Sequence, residues 1–574
     1  MVKTNTLASI LLENYNQVPE QLAIVLQHSR RPDSSISYRL LMQGAVGYAH
    51  ALAQNGILPG EVVVLVLQNS VDLIYSFFGA LLHGSVPSIM PFLTEKLSPE
   101  RYQEDITALL QITRPAAIVT YPEFIQTVMG SLHTGDSVRT VLNTHQVQPI
   151  SLPDFNSLQG AKRPPEDIVL LQHSSGTTGL QKGVALSHQA VLNQLNNYAD
   201  AIQLSKSDVI VSWLPLYHDM GLVAGFVLPI LKRIPLVLLS PFDWVRAPAR
   251  LFHAITQYKG TLCWLPNFAY NFCTQKIRDR DLEGVDLVSW RAVINCSEPM
   301  RWESQQMFLE RFRTYNLNPK ALATCYAMAE NVFAVTQGGI DQTVTVDQIN
   351  EDTFTKHKLA VSSKQGRTIR ILSAGYPIPN TKVRILTDIR SESSDLNIHR
   401  KELPDRHVGE IALLSDCMLT GYYNRDDLTE KLFFEGWYLT GDLGYSVKEE
   451  IYVIGRKKDL IIVGGKNIYP QDLENLANQV TGVHPGRVVA FGVYNGELGT
   501  EEVVMVAEVD DLNPESRMQI ADLIRERVTQ GSAIALKQVR IVNPRWILKT
   551  SSGKTARRAN RDKFLTEFQN LEQE

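Results

Sequence analysis

The chain has 574 residues, more than one hydrophobic core can organise, because cores stop growing near roughly 250–300 residues. Its 56 basic and 60 acidic residues leave a formal net charge of −4, which gives no electrostatic footprint for nucleic acid or an anionic membrane. Hydrophobic residues make up 44% and charged residues 20%, the balance of an ordinary globular protein.

Near the start, the apolar piece Leu7 to Leu12 ends at Glu13. It is too short for the hydrophobic region of a signal peptide. VVVLVLQ, between Gly60 and Asn69, is a short apolar run that predicts a buried strand. VDLIYSFFGALLHG follows, with apolar positions at helical spacing and Gly84 as its stop. AAIVTY (116–121), TVLNT (140–144) and IVLLQHS (168–174) again read as strands. Strands alternating with helices imply βαβ units and a mostly parallel sheet. The longest apolar region, LVAGFVLPILKRIPLVLLS, is cut by Lys232, Arg233 and two prolines, so it predicts no membrane span. The polar stretch 388–407 predicts a solvated loop or hairpin tip. After Gly455 the pattern restarts with a strand (LIIV), a turn (GGKNIYP) and a helix (DLENLANQV). We therefore expect two domains, residues 1–456 and 457–574. The five cysteines, Cys263, Cys273, Cys296, Cys325 and Cys417, form no CxxC pair. They read as buried reduced thiols in a cytoplasmic protein, not as a zinc site.

One loop stands apart. HSSGTTGLQKGVALSH (173–188) surrounds Gly176 and Gly179 with Ser174, Ser175, Thr177 and Thr178, then offers Lys182. Glycines let backbone N–H groups approach an anion closely. Hydroxyls add donors and Lys182 adds charge, so the loop suits a phosphate chain. A solvated glycine-rich connection is the other reading of this composition. The spacing does not fit G-x-x-x-x-G-K-[ST], because Gln181 stands five after Gly176 and Gly183 follows Lys182. Ser187 then predicts a helix N-cap, with Val191, Leu195, Tyr198 and Ile202 on one face.

Further along lie SWLPLYHDMGL (212–222), WLPNFAYNFC (264–273), INCSEPM (294–300), TCYAMAE (324–330), WYLTGDLGY (437–445), IGRKKD (454–459) and ILKTSSGKTARR (547–558). Together with SSGTTGLQKGV, their order and spacing resemble the adenylate-forming superfamily. That superfamily holds acyl-CoA synthetases, peptide-synthetase adenylation domains, luciferases and fatty acyl-AMP ligases. The resemblance runs from about Ser37 to Arg557.

The resemblance implies an α/β fold. A large N-terminal region would combine parallel or mixed sheets with a β-barrel-like part, and a smaller, mobile α+β C-terminal domain would carry Lys554. It implies ATP and Mg²⁺ as cofactors. Ser174, Ser175, Gly176, Thr177, Thr178, Gly179 and Lys182 would hold phosphates. Ser297, Glu298 and Pro299 would line the adenine, with Tyr326 stacked on it and Ala329 close by. Asp442 and Arg456 would hold the ribose, and Glu330 the metal. Lys458 would be the hinge. His218 would lie near the reacting carboxylate, and Lys554 would reach into the site; with Glu330 these are the expected catalytic residues. Met220, Gly221, Val223, Phe268, Ala269, Tyr270 and Asn271 would line the acyl pocket.

The activity implied is ATP-dependent conversion of a carboxylic acid, most like a fatty acid, to an acyl-adenylate with release of pyrophosphate. Transfer to the phosphopantetheine thiol of an acyl carrier protein would follow. Free coenzyme A as acceptor, amino-acid activation and a non-catalytic nucleotide-binding relative are the alternatives. The PNFAY run, Ala329 and the long stretch from Gln337 to Ala374 lean toward the acyl-AMP ligases, whose insertion disfavours free coenzyme A. Ala327 departs from the family's usual glycine, and Cys296 and Met300 are unusual in the adenine segment.

Overall fold

A computed structural model describes residues 5–91, 99–133, 135–151, 158–174, 182–389, 399–463, 466–495, 500–510, 513–532, 534–550 and 553–569. Its largest sheet has nine strands, running Tyr376–Pro377, Ala334–Gly338, Leu322–Ala327, Ala292–Cys296, Leu262–Leu265, Ile210–Ser212, Leu236–Leu238, Leu22–Leu26 and Ser34–Ser37 in spatial order. The middle pairings are parallel and the outer ones antiparallel. A second sheet is wholly parallel, in the order Val86–Ile89, Val62–Val66, Ala117–Thr120, Thr140–Asn143. Its strand Val62–Val66 is buried along its whole length, as expected of a parallel sheet covered on both faces.

The predicted helix signals act as expected. Ser187 accepts from Ala190 N and caps the helix His188–Ala201. Val191, Leu195, Tyr198 and Ile202 are buried. Gly84 ends the helix Val71–His83 at φ 92°, a left-handed position that glycine takes without a Cβ clash.

Six strands between Thr381 and Arg456 form an open antiparallel sheet, with no closure into a barrel among the described residues. Within it His399–Glu402 pairs with Thr381–Ile389 as a hairpin. Residues 390–398, between these two strands, lie outside the described residues. A small antiparallel sheet joins Ile168–Ser174, Lys182–Ser187 and Gly421–Tyr422. It therefore carries both ends of the glycine-rich loop.

The last part of the chain builds its own sheet from Val483–Asn495, Thr500–Val509 and Leu536–Val542. Two apolar clusters consist entirely of residues from Ile461 onward, one centred on Met505 and Ile524, the other on Phe491 and Phe564. An element that buries its apolar face against its own neighbours needs little from the rest of the chain. Contacts to the large region include an ion pair of Arg301 with Asp472 at 2.8 Å and apolar packing of Leu460 and Tyr469 against the cluster that holds Ile349 and Phe354. All five cysteines are buried and unpaired, and burial raises the thiols of Cys263, Cys273, Cys325 and Cys417. Among the described residues no helix is long and apolar enough to cross a membrane.

Candidate active site

A cavity opens where the nine-stranded sheet meets the C-terminal part. Trp213, Leu214, Pro215, Met220, Pro266 and Phe268 make its apolar wall. His218, Ser297, Glu298 and Lys554 make its polar rim. The strand Ile210–Ser212 delivers the segment 213–219, and a π-helix, Met220–Val227, follows. π-helical turns are rare and concentrate at functional sites. Gly221 is required here, because a Cβ would lie 2.2 Å from the Pro215 carbonyl oxygen.

His218 Nδ1 lies 2.5 Å from Asp219 Oδ1, which also accepts from Met220 N at 2.8 Å. Burial pushes the Asp219 carboxyl up. The charge and hydrogen bond of His218, then the Lys554 charge and the Met220 N–H, outweigh it and hold the group below its usual range. Asp219 therefore stays an anion that fixes the His218 ring. Lys554 is close enough to contribute, although it comes from the far end of the chain.

The geometry that presents Lys554 is local. Thr550 N donates to Lys554 O at 2.7 Å, and Gly553 N to Thr550 O at 2.8 Å. Gly553 sits at φ 85°. Three residues on, the buried Arg557 guanidinium donates to Glu474 at 2.7 and 2.9 Å, to Asp459 at 3.0 Å and to the Ala490 carbonyl at 2.9 Å. That clamp ties the Lys554 turn to the segment that follows Lys458. Sequence reasoning missed Arg557; its only signal was a place within the basic run.

The other expected site residues contribute two tyrosine–carboxylate pairs. Tyr326 Oη donates to Asp442 Oδ2 at 2.6 Å, and Arg456 Nε lies 3.4 Å from Asp442 Oδ1. Strand register produces this trio, since Asp442 and Arg456 face each other across an antiparallel pair. Tyr422 Oη donates to Glu330 Oε1 at 2.8 Å, and the Lys182 ammonium lies 4.5 Å from the Tyr422 ring centre. Burial lowers the Lys182 ammonium, Glu330 opposes that shift and Arg425 adds to it. Lys458 is exposed. The protein around it lowers its ammonium first, and the Arg456 charge lowers it further; Asp459 and Asp442 oppose, and Lys182 adds. Lys182, Arg456 and Lys458 thus form one cationic neighbourhood facing two carboxylates. Tyr422 was another residue that sequence reasoning missed, because nothing local in GYYN ties it to Glu330.

Backbone shape serves the site in two places. Ser297 holds φ 69°, and its hydroxyl reaches Met220 Sδ at 3.8 Å. Val332 holds φ 61° and ψ −52°, with Phe333 N donating to Asn331 O at 2.6 Å. This γ-turn is strained for a β-branched residue, and strain of that kind clusters at functional sites. It lies two residues after Glu330.

The expected pocket residues divide. Met220 and Phe268 line the cavity. Gly221 and Val223 are buried within the π-helix, where they pack rather than line. Ala269 and Tyr270 are corrected to the protein core: Tyr270 Oη donates to Val293 O and its ring packs on Phe308 at 4.9 Å. Helical periodicity accounts for this, since positions one and two after Phe268 turn to another face. Asn271 is half-buried, with an unpartnered side-chain oxygen. Glu298 accepts from Phe268 N at 2.9 Å and so caps the helix Asn267–Lys276. Pro299 is exposed beside it, while Ala329 is buried. Ser175, Gly176, Thr177, Thr178 and Gly179 lie outside the described residues; Ser174 ends its strand just before them.

Comparison with known proteins identifies the family. The family described as AMP-binding enzyme matches residues 11–423. JamA of Moorena producens, a medium-chain-fatty-acid–[acyl-carrier-protein] ligase, is 29% identical over 570 residues, covering 94% of this chain and 91% of its own. FadD26 of Mycobacterium marinum, a long-chain-fatty-acid–AMP ligase, is 28% identical over 593 residues and covers 97% of both chains. A solved structure from work on fatty acyl-adenylate ligases of E. coli and L. pneumophila superposes with a TM-score of 0.88 at 26% identity, covering 99% of this chain and 98% of that one. The chain belongs to the AMP-binding enzyme family and is an adenylate-forming ligase.

Proposed function

We propose that the protein activates a fatty acid as its acyl-adenylate and passes the acyl group to the phosphopantetheine thiol of a carrier protein. The observation that carries this reading is that Lys554, from the C-terminal part, lines the same cavity as His218. An acid carboxylate oxygen attacks the α-phosphorus of ATP. A new O–P bond forms, the bridge to the β-phosphate breaks, and pyrophosphate leaves. Both partners are anions, so catalysis consists mainly of positioning and of positive charge placed where negative charge grows.

Lys554 bridges the attacking carboxylate and the α-phosphate. His218, oriented by Asp219, borders the carboxylate. Lys182 and the loop 174–179 hold the leaving phosphates. Tyr326 and the backbone of 297–299 bracket the adenine, and Asp442 with Arg456 takes the ribose hydroxyls. Glu330 offers a carboxylate with one oxygen engaged by Tyr422, and no cluster of three His, Cys, Asp or Glu side chains that could hold a metal occurs among the described residues. That donor set fits Mg²⁺, which takes one or two carboxylates and completes its shell with phosphate and water. Held there, Mg²⁺ would offset charge on the phosphates.

In the second half-reaction the thiol sulfur attacks the acyl carbon and AMP leaves. The C-terminal domain, residues 457–574, turns about Lys458 to withdraw Lys554. Two features support a carrier protein over free coenzyme A. JamA is named for such an acceptor. The stretch from Gln337 to Ala374 forms a hairpin and helix that bridge the two parts: Phe354 packs on Tyr469 at 6.1 Å, and Arg367 donates to the carbonyls of Gln530 and Gly531 at 3.2 Å. An amino-acid substrate is disfavoured because Asp219 is already committed to His218.

ATP–pyrophosphate exchange with a panel of fatty, aryl and amino acids tests the first step. Exchange dependent on fatty acids is expected; exchange with amino acids alone would overturn it. Mass spectrometry with carrier protein or coenzyme A as acceptor tests the second step. Ready formation of acyl-CoA with no loaded carrier would overturn the acceptor.

A further inference from the structure

The apolar wall of the cavity has a particular construction at Trp213. The Trp213 ring lies on the Trp244 ring with centroids 3.5 Å apart and planes 6° from parallel. Trp213 lines the cavity, whereas Trp244, on the helix Pro241–Arg246, is fully buried behind it. Phe268 meets both indoles edge-on at 6.4 and 6.3 Å, and Phe272 leans on Trp244 at 5.4 Å. The segment that holds Trp213 has no slack. Gly225 packs so closely that a Cβ would lie 2.6 Å from Ser212 Oγ, and Gly221 packs on Pro215.

The arrangement is also costly in two ways. Aromatic rings prefer offset or edge-on contact to a face-to-face sandwich. Both indole N–H groups are buried without a hydrogen-bond partner, which carries a desolvation penalty. A double indole layer kept despite both costs makes a flat, unyielding wall.

We infer that the Trp213–Trp244 stack is a length stop for the acyl chain, so that the enzyme takes short- and medium-chain acids and refuses long ones. This rests on the acyl-adenylate reading above. Trp213 meets the end of the chain. Trp244 is a positioning residue that acts by keeping Trp213 from swinging away.

The probe is a series of non-hydrolysable acyl-sulfamoyl adenosines from four to sixteen carbons, titrated against the full-length protein by calorimetry. Each methylene buried in an apolar pocket strengthens binding about fourfold. That rise is expected to break off by about ten carbons in the native protein and to continue further in Trp244→Leu. The ratio of dodecanoate to hexanoate activation should increase at least tenfold in the same variant. Affinity that keeps climbing to sixteen carbons in the native protein would overturn the length stop, whether or not the variant folds. A break that stays in place in folded Trp244→Leu would overturn the role of Trp244. Failure of every member to bind would remove the acyl-adenylate reading itself, and the length stop with it.

Discussion

The two ends of the cleft are built on opposite principles. Where the nucleotide is proposed to bind, each carboxylate is met by a tyrosine and faces a cation: Tyr326, Asp442 and Arg456 in one group, Tyr422, Glu330 and Lys182 in the other. Where the acid is proposed to bind, the wall is apolar, and the N–H groups of Trp213 and of Trp244 behind it have no hydrogen-bond partners. A polar network that is satisfied holds its members at fixed positions, which suits a substrate whose charges never vary. An apolar wall recognises by shape alone, and a methylene more or less is worth only about 1–3 kcal/mol there. On the proposed function, the polar group would carry orientation and rate, and the apolar wall selectivity.

Four experiments test that division, beginning with the largest expected effect. Lys554 lines the cavity and is proposed to bridge the acid and the α-phosphate. Lys554→Ala should lower adenylation by roughly 10²–10³-fold, the usual size for one preorganised charge, as read by pyrophosphate exchange. An unchanged rate would remove Lys554 from the reaction.

Acid should weaken the fold next. His173 and His188 flank the glycine-rich loop, and burial holds both imidazoles down at about 4. Leu7 N donates to His188 Nδ1 at 3.2 Å, so that nitrogen must stay unprotonated. Between pH 6.5 and 4 the unfolded chain binds protons that the folded chain refuses, so stability falls as pH falls through that window. Each histidine contributes up to roughly 3 kcal/mol to this loss. Denaturant titrations at pH 7 and pH 5 would show it, and His188→Gln should flatten the slope.

Asp442→Asn is expected to raise the KM for ATP about tenfold to a hundredfold, the size of a lost charged hydrogen bond or two, with the acid profile unmoved. A change in acid preference would break the separation of the two ends. The smallest effect belongs to Tyr422→Phe. It removes one donor to Glu330 and should cost only about 0.5–1.5 kcal/mol, seen as a several-fold higher Mg²⁺ requirement with chain-length preference unchanged.

Much of the site was legible because its motifs are short. Lys182, Glu330, Asp442, Arg456 and Lys554 each sit in a run of neighbours whose order carries the resemblance; the structure brings the first four into one charged neighbourhood and sets Lys554 in the cavity beside His218. The pocket was less legible. Phe268 and Tyr270 are two residues apart, yet one faces the cavity and the other the core. Trp244 gave no signal, because the run FDW has no meaning until Trp213 is laid against it.

Read alone, the sequence determined the alternation of strands and helices, the Ser187 cap, the Gly84 stop and the chemistry of each motif. These depend on hydrogen bonds and periodicity within a few residues of each other. Only the tertiary structure decided which tyrosine answers which carboxylate, where the Lys554 turn comes to rest, and how two indoles close the apolar wall. Those outcomes join residues from separate sheets, and packing between distant segments leaves no periodic trace in the chain.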